Sequence, residues 1–96
     1  MLENKFKQNL TSELAEMFPG CIVTHLDPTE IQGIPDLLIL HKDKWATLEG
    51  KKNATASARP NQPYYVDLMN RMSFSRFIYP ENKDAVLKEL QEHFNK

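Results

Sequence analysis

Residues 33–51 read GIPDLLILHKDKWATLEGK, and most of the architecture can be predicted from them. Residues 34–40 are a nearly continuous apolar run of strand length, which is typical of a strand buried on both faces. Lys42 and Asp43 predict a polar turn, after which residues 45–51 return as a second strand. We therefore expect an antiparallel hairpin in the central layer of the protein.

A turn centred between Lys42 and Asp43 fixes the register of this hairpin. The opposed pairs are then Leu40 with Trp45, Leu38 with Thr47, and Asp36 with Glu49. Opposed residues of an antiparallel pair project from one face with Cβ atoms about 4.5–5.5 Å apart, so two carboxylates would lie side by side. Lys51, two residues beyond Glu49, shares that face. A turn of odd length would break this register.

The facing carboxylates of Asp36 and Glu49 indicate a divalent cation, because they repel each other unless a cation lies between them. Mg²⁺ prefers oxygen ligands and keeps waters and phosphate oxygens in its shell, and we expect Mn²⁺ to substitute for it. The ammonium of Lys51 could neutralise a phosphate oxygen, hold the attacking water or act as a base. A metal that activates water and stabilises phosphoryl charge would complete the requirements for phosphodiester hydrolysis.

The remaining sequence predicts three helices and two further strands around the hairpin. Leu2, Phe6, Leu10, Leu14 and Met17 recur at spacings of four and three and predict a first helix over residues 2–17. The other predicted elements are strands over residues 21–26 and 74–79, a helix over residues 61–72 and a last helix from Pro80 to about Phe94. Pro60 and Pro63 fit the second helix only at or before its first turn. Residues 52–58 are small and polar and predict a mobile loop. At 96 residues the chain has room for one domain.

Glu3 is the candidate acidic residue of the first helix. It falls about 35° from the middle of the apolar stripe, which predicts an inward-pointing carboxylate in need of a partner such as a metal site. Glu13 lies about 45° from the stripe on its other side and is the alternative, whereas Glu16 should be solvated. Glu3 is also compatible with a purely structural role, since acidic residues are favoured near a helix N-terminus.

These residues resemble the PD-(D/E)XK nuclease superfamily, and within it the small VRR-NUC (virus-type replication-repair) nucleases and phage Holliday-junction resolvases. The resemblance rests on residues 33–38, on Glu49-Gly50-Lys51 and on Gln62 at the start of a helix. It implies an α/β (α+β) restriction-endonuclease-like fold with an αβββαβ core, in which a central mixed sheet is flanked by helices. It further implies that Asp36 and Glu49 bind the metal with the Gly50 carbonyl as a further ligand, that Lys51 serves the attacking water, that Glu3 assists in both roles, and that Gln62 lies close to the active site.

The charge distribution supplies candidate DNA contacts. Net charge is −1, so overall basicity does not indicate a nucleic-acid partner. However, residues 1–36 contain two lysines and six acidic residues, whereas residues 42–76 contain seven basic and three acidic residues. The candidate phosphate contacts are Lys52, Arg59, Arg71 and Arg76, and Tyr64 could stack on an unpaired base. Each of these residues is also compatible with a plain surface position. His25, His41 and His93 lack the spacing of metal ligands and are interpreted as structural or solvated.

The sequence thus predicts a metal-dependent endonuclease for branched or duplex DNA in phage or bacterial replication, recombination or repair. We expect a homodimer, because a resolvase must cut two strands symmetrically. The alternatives are a nicking, flap or homing-type endonuclease, and a nucleic-acid-binding module of the same fold without turnover. A weaker one is a small protein whose last helix docks onto a replication partner.

Cellular location can be addressed only by the absence of targeting features. The sequence has no apolar run of the roughly 20 residues that would cross a bilayer, and it starts without the apolar stretch of a secretion signal. The single cysteine, Cys21, is expected to be a small core residue in a reducing compartment. We therefore expect a cytoplasmic protein without a membrane partner, in the bacterial host cytoplasm if the chain is phage-encoded.

Overall fold

The structure, a computed structural model, describes residues 2–96, with side chains described from residue 5 onward. Helices and strands follow one another in the predicted order α-β-β-β-α-β-α. The elements are α1 (Leu2–Met17), β1 (Ile22–His25), β2 (Leu37–His41), β3 (Lys44–Gly50), α2 (Asn61–Met72), β4 (Ser75–Ile78) and α3 (Lys83–Phe94). The predicted bounds of α1 and α2 are confirmed, whereas β2 begins three residues later than expected, because Pro35 has no N–H to donate to a ladder.

The four strands form one mixed sheet in the order β1-β2-β3-β4. Strand β2 is antiparallel to both β1 and β3, whereas β4 runs parallel to β3 after the crossover through α2. The predicted hairpin register is confirmed, with Leu40 opposite Trp45 and Leu38 opposite Thr47. The sequence-based fold class, a central mixed sheet flanked by helices, is therefore confirmed.

The core lies on one face of this sheet, under α1 and α3. Leu37 and Ile39 of β2 project into it, and Phe18 and Phe94 close it at the end of the sheet near His41. The prediction that β2 is buried on both faces is wrong, because Leu40 on the opposite face is 40% exposed. Helix α2 packs instead against β3 and β4, so the outer face of β2 is only partly covered.

Helix α2 is less buried than α3, since none of the α2 residues is buried whereas α3 has four buried residues. Pro60 caps its N-terminus and Pro63 lies in its first turn, as predicted. Cys21, expected in the core, is half-buried and packs against the core from its edge. Within residues 2–96, no helix is both long enough and apolar enough to span a membrane.

Candidate active site

Asp36 and Glu49 lie side by side at the open end of the β2–β3 hairpin, as the register predicted. The backbone N–H of Asp36 donates a hydrogen bond to Glu49 Oε1 at 3.1 Å. On the other side, the Asp36 carbonyl accepts a hydrogen bond from the N–H of Leu26 at 2.8 Å. Pro35, just before Asp36, is fully buried. The Asp36 backbone is therefore held between the chains of β1 and β3, and its carboxylate is aimed along the edge of the sheet.

Glu49 carries the electrostatic signature of the site. Burial, and after it the negative charge of Asp36, together raise the pKa of Glu49 from its ordinary 4.5 to about 7. Lys7, Lys51 and the Asp36 N–H lower the pKa of Glu49 and oppose those two effects only in part. The charged form of Glu49 is therefore disfavoured chiefly by its burial, and a bound cation would offset that cost.

Lys51 follows β3 directly, and its side chain reaches the loop before α2 and the start of that helix. Its Nζ donates to the Ser57 carbonyl at 2.8 Å and to Gln62 Oε1 at 3.1 Å. Gln62 Oε1 also accepts a hydrogen bond from the Arg59 N–H at 2.9 Å. The side chain of Gln62 thus joins Lys51 to the loop that precedes α2, and both partners of the Lys51 ammonium are neutral.

Two residues that the sequence reasoning did not select complete the surroundings of Asp36. Lys7 of α1 places Nζ 3.0 Å from Asp36 Oδ2, and His25 at the end of β1 places Nδ1 3.4 Å from Asp36 Oδ1. Gly50 leaves room for the lysine, since a Cβ atom on Gly50 would lie 3.1 Å from Lys7 Cε. The available signals were that Lys7 is one turn beyond Glu3 on the same side of the helix, and that β1 ends beside β2.

The helix carboxylate predicted for the site is not among the described contacts. The side chain of Glu3 lies outside the described residues, so its role stays a prediction. The alternative, Glu13, is directed elsewhere, because Lys83 Nζ of α3 pairs with Glu13 Oε1 at 2.7 Å. Glu13 therefore connects two helices and does not join the carboxylate pair.

A cavity of about 540 Å³ gathers most of the predicted site residues. It is lined by Asp36, Glu49, Gly50 and Lys51, and also by Lys7, Lys52, Arg59 and Gln62. Of the predicted DNA contacts, Lys52, Arg59 and Gln62 therefore lie at the cavity.

The other predicted DNA contacts lie away from the cavity lining. Tyr64 packs edge-on against Tyr65, and Arg71 pairs with Asp67 one helical turn away at 3.2 Å. Arg76 lies on the edge strand β4, where it hydrogen-bonds Asn70, pairs with Glu89 and stacks on Phe74. The partners of Arg76 give it a structural role.

The donor set at this cavity fits Mg²⁺. Asp36 Oδ2 is shielded from solvent and receives no well-directed hydrogen bond from the described residues, although Lys7 Nζ lies beside it. Within the described part of the chain, no group of three His, Cys, Asp or Glu side chains is arranged to hold an ion. A pair of carboxylates suits Mg²⁺, which is commonly held by one or two carboxylates together with waters and substrate phosphates.

A solved structure with this fold is that of Hjc, a Holliday junction resolvase from the archaeal hyperthermophile Archaeoglobus fulgidus. The two share 13% sequence identity and a TM-score of 0.52, over 79% of this chain and 67% of that chain. No protein-family model matches the sequence, and no curated protein matches it either. The chain therefore has a resolvase-like fold, which agrees with the nuclease superfamily that the sequence resembles. At this identity the likeness concerns the fold alone.

Proposed function

We propose that this protein is a Mg²⁺-dependent endonuclease that hydrolyses DNA phosphodiester bonds, with a preference for branched DNA such as Holliday junctions. The observation that carries the proposal is the convergence of Asp36, Glu49 and Lys51 on one cavity of a resolvase-like fold. The raised pKa of Glu49 supports it, since strongly shifted carboxylates in a cavity are common at functional sites.

Each side chain has a role that follows from its surroundings. Asp36 and Glu49 would hold the ion, with the Gly50 carbonyl as a further ligand, and the ion would stabilise charge developing on the phosphoryl group. Lys51 keeps its positive charge available because its hydrogen-bond partners are a backbone carbonyl and an amide. In the proposed reaction Lys51 orients the attacking water or neutralises a phosphate oxygen.

The proposed substrate is DNA, branched or duplex, gripped through its phosphates. Lys52 and Arg59 line the cavity and are exposed, which suits them to contact the strand on either side of the scissile phosphate. The resolvase-like fold supports four-way junctions as the preferred substrate and a homodimer as the active form, because such a substrate requires two symmetric cuts. Membership of the VRR-NUC group, a phage or bacterial role and a cytoplasmic setting belong to the same proposal.

A substrate panel tests this function. Fluorescently labelled four-way junctions, flaps, nicked duplexes and linear duplexes of matched sequence would be incubated with the protein in Mg²⁺, in Mn²⁺ and in EDTA. We expect cleavage only with a divalent ion, and fastest on the junction. Preferential cleavage of flaps or linear duplex would replace resolvase action by one of the other nuclease classes. No cleavage of any substrate in either metal would overturn the proposal.

A binding module without turnover is the second candidate, because one observation favours it. Lys7 places a cation 3.0 Å from Asp36 Oδ2, which partly compensates the carboxylate pair by itself. If that arrangement were permanent, the protein would bind DNA but not hydrolyse it. Isothermal titration calorimetry separates the two candidates, since a silent module would show no binding of Mg²⁺ or Mn²⁺.

A further inference from the structure

Lys7 belongs to α1, and its side chain reaches the carboxylate of Asp36. Its Nζ lies 3.0 Å from Asp36 Oδ2, and both side chains are 23% exposed. The positive charge of Lys7 also lowers the pKa of Glu49, so the ammonium acts on both carboxylates. It therefore supplies positive charge in the place where the proposed function requires a divalent ion.

The surroundings of Lys7 allow its ammonium a second position. Gly50 has no side chain, so the Lys7 stem can lie close to the end of β3. A Cβ atom at position 50 would lie only 3.1 Å from Lys7 Cε. Lys7 also lines a separate groove of about 420 Å³ on its other side, together with Gln8, Thr11 and His25. A flexible four-carbon stem at the boundary of two open spaces can move its charge by several ångströms without moving α1.

We propose that Lys7 is a positioning residue that competes with the divalent ion for Asp36 and yields the carboxylate when a DNA phosphate is present. This inference rests on the proposed function, because it requires that Asp36 binds a metal. In the free protein Lys7 compensates Asp36. When the ion takes that carboxylate, repulsion displaces the ammonium. A phosphate of the bound strand can then accept it, since Lys7 lines the same cavity as Lys52 and Arg59.

This exchange has a thermodynamic consequence that can be measured without catalysis. A ligand that must displace an ion pair binds more weakly than it would to the carboxylates alone. Removing the Lys7 charge should therefore tighten metal binding, whereas a merely structural lysine would weaken or not change it. Metal and DNA should also favour each other's binding in the wild type, since DNA draws away the group that opposes the metal.

The experiment compares Mn²⁺ binding to the wild type, Lys7→Met, Lys7→Arg and Lys5→Met by isothermal titration calorimetry at pH 8. Lys5→Met is the matched control, since it removes the same charge from an exposed position on the same helix. We expect Lys7→Met to bind Mn²⁺ up to about fivefold more tightly, as partly exposed ion pairs are worth at most about that factor. Lys7→Arg and Lys5→Met should stay near the wild type.

The outcomes distinguish this inference from the proposed function. If the wild type binds Mn²⁺ and Lys7→Met binds it equally or more weakly, the competition is wrong while the nuclease proposal stands. If neither protein binds Mn²⁺, both proposals fail and the silent binding module is favoured. If Lys5→Met tightens binding as much as Lys7→Met, the effect is one of overall charge and the specific role of Lys7 is refuted.

A second readout tests the displaced ammonium. At saturating Mg²⁺ the metal no longer competes with Lys7, so any remaining defect of Lys7→Met must come from the substrate. We expect KM for a four-way junction to rise several-fold with little change in kcat, and Lys7→Arg to restore it. An unchanged KM in Lys7→Met would contradict the transfer of Lys7 to a phosphate.

Discussion

Two lysines face the cavity from opposite sides, and their partners differ in charge. Lys7, from α1, pairs with the carboxylate of Asp36, whereas Lys51, after β3, donates to a backbone carbonyl and to the amide of Gln62. An ion pair neutralises a lysine, but a neutral acceptor fixes its position and leaves its charge in place. In the proposed mechanism, the charge of Lys51 is therefore available to a phosphate or water, whereas the charge of Lys7 compensates Asp36.

The largest loss of activity should follow the removal of Lys51, the lysine whose hydrogen-bond partners are neutral. We expect Lys51→Met to lower kcat about 10²–10⁴-fold, the range of general acid–base contributions, because the other lysine that acts on Glu49, Lys7, is paired with Asp36. Lys52→Met, the exposed neighbour in the chain, should lose far less. Single-turnover cleavage of a junction, with circular dichroism as the test of folding, measures both. If Lys51→Met and Lys52→Met retained similar rates, the assignment of roles would be wrong.

The burial of the Glu49 carboxylate beside Asp36 should appear in the stability of the metal-free protein. The pKa of Glu49 is raised from its ordinary 4.5 to about 7, so the folded state holds the proton more tightly than the unfolded state. This stabilisation is fully present below pH 4.5 and is lost as the pH rises through 7. Glu49 is only 6% exposed, and a shift of this size corresponds to roughly 3 kcal/mol of unfolding free energy.

Urea denaturation in EDTA between pH 4 and pH 8 tests this effect, with Glu49→Gln as the control. The difference in unfolding free energy between the wild type and Glu49→Gln should become less favourable to the wild type as the pH rises. Parallel curves for the two proteins would mean that folding does not raise the pKa of Glu49.

A single substitution can give Lys51 the kind of partner that Lys7 has. Gln62→Glu would give Lys51 a carboxylate partner and so neutralise it, as Asp36 does for Lys7. We expect kcat to fall roughly tenfold in Gln62→Glu, consistent with about 1.4 kcal/mol for a charged hydrogen bond, and less in Gln62→Ala. Gln91→Glu on the exposed face of α3 adds the same charge elsewhere and should have little effect. Equal rates for Gln62→Glu and Gln91→Glu would show that the neutrality of the Lys51 partners is unimportant.

The smallest effects are expected for DNA binding by Lys52 and Arg59, the exposed basic residues of the cavity lining. Lys52→Ala and Arg59→Ala should each reduce the slope of log K against log salt for DNA binding by about 1, the loss of one phosphate contact. Arg76→Ala should leave that slope unchanged, because Arg76 is engaged with Asn70, Glu89 and Phe74. Fluorescence anisotropy at several salt concentrations, without divalent ions, gives the slopes. A larger change of slope for Arg76→Ala than for Arg59→Ala would mean that the DNA binds along β4 and not at the cavity.

The parts of the site that were predictable from the sequence are those fixed by local geometry. A two-residue turn at Lys42 and Asp43 sets the register of the hairpin, and the register brings Asp36 to Glu49. Lys51 then follows from the alternation of side chains along β3. These relations need no knowledge of how distant elements pack.

The contributions of α1 and β1 could not be predicted in the same way. Lys7 reaches Asp36 only because α1 lies across the end of the sheet, and because Gly50 leaves space there. Helical periodicity predicts which face of α1 is buried, but not where along the sheet each residue falls. Periodicity therefore selected Glu3, which stays a prediction, with Glu13 as the alternative, and it did not indicate the contact of Lys7 with Asp36. The exposure of Leu40 was missed for the same reason, since an apolar run does not show which face a helix covers.

The central claim is that Asp36 and Glu49 together hold the ion on which cleavage depends. Its most direct test is the rate of single-turnover cleavage of a labelled four-way junction as a function of Mg²⁺, for the wild type, Asp36→Asn and Glu49→Gln. We predict saturable, metal-dependent cleavage by the wild type and none by either variant at any Mg²⁺ concentration, with the fold of each retained. Wild-type rates in Asp36→Asn or Glu49→Gln, or equal cleavage in EDTA, would contradict the account.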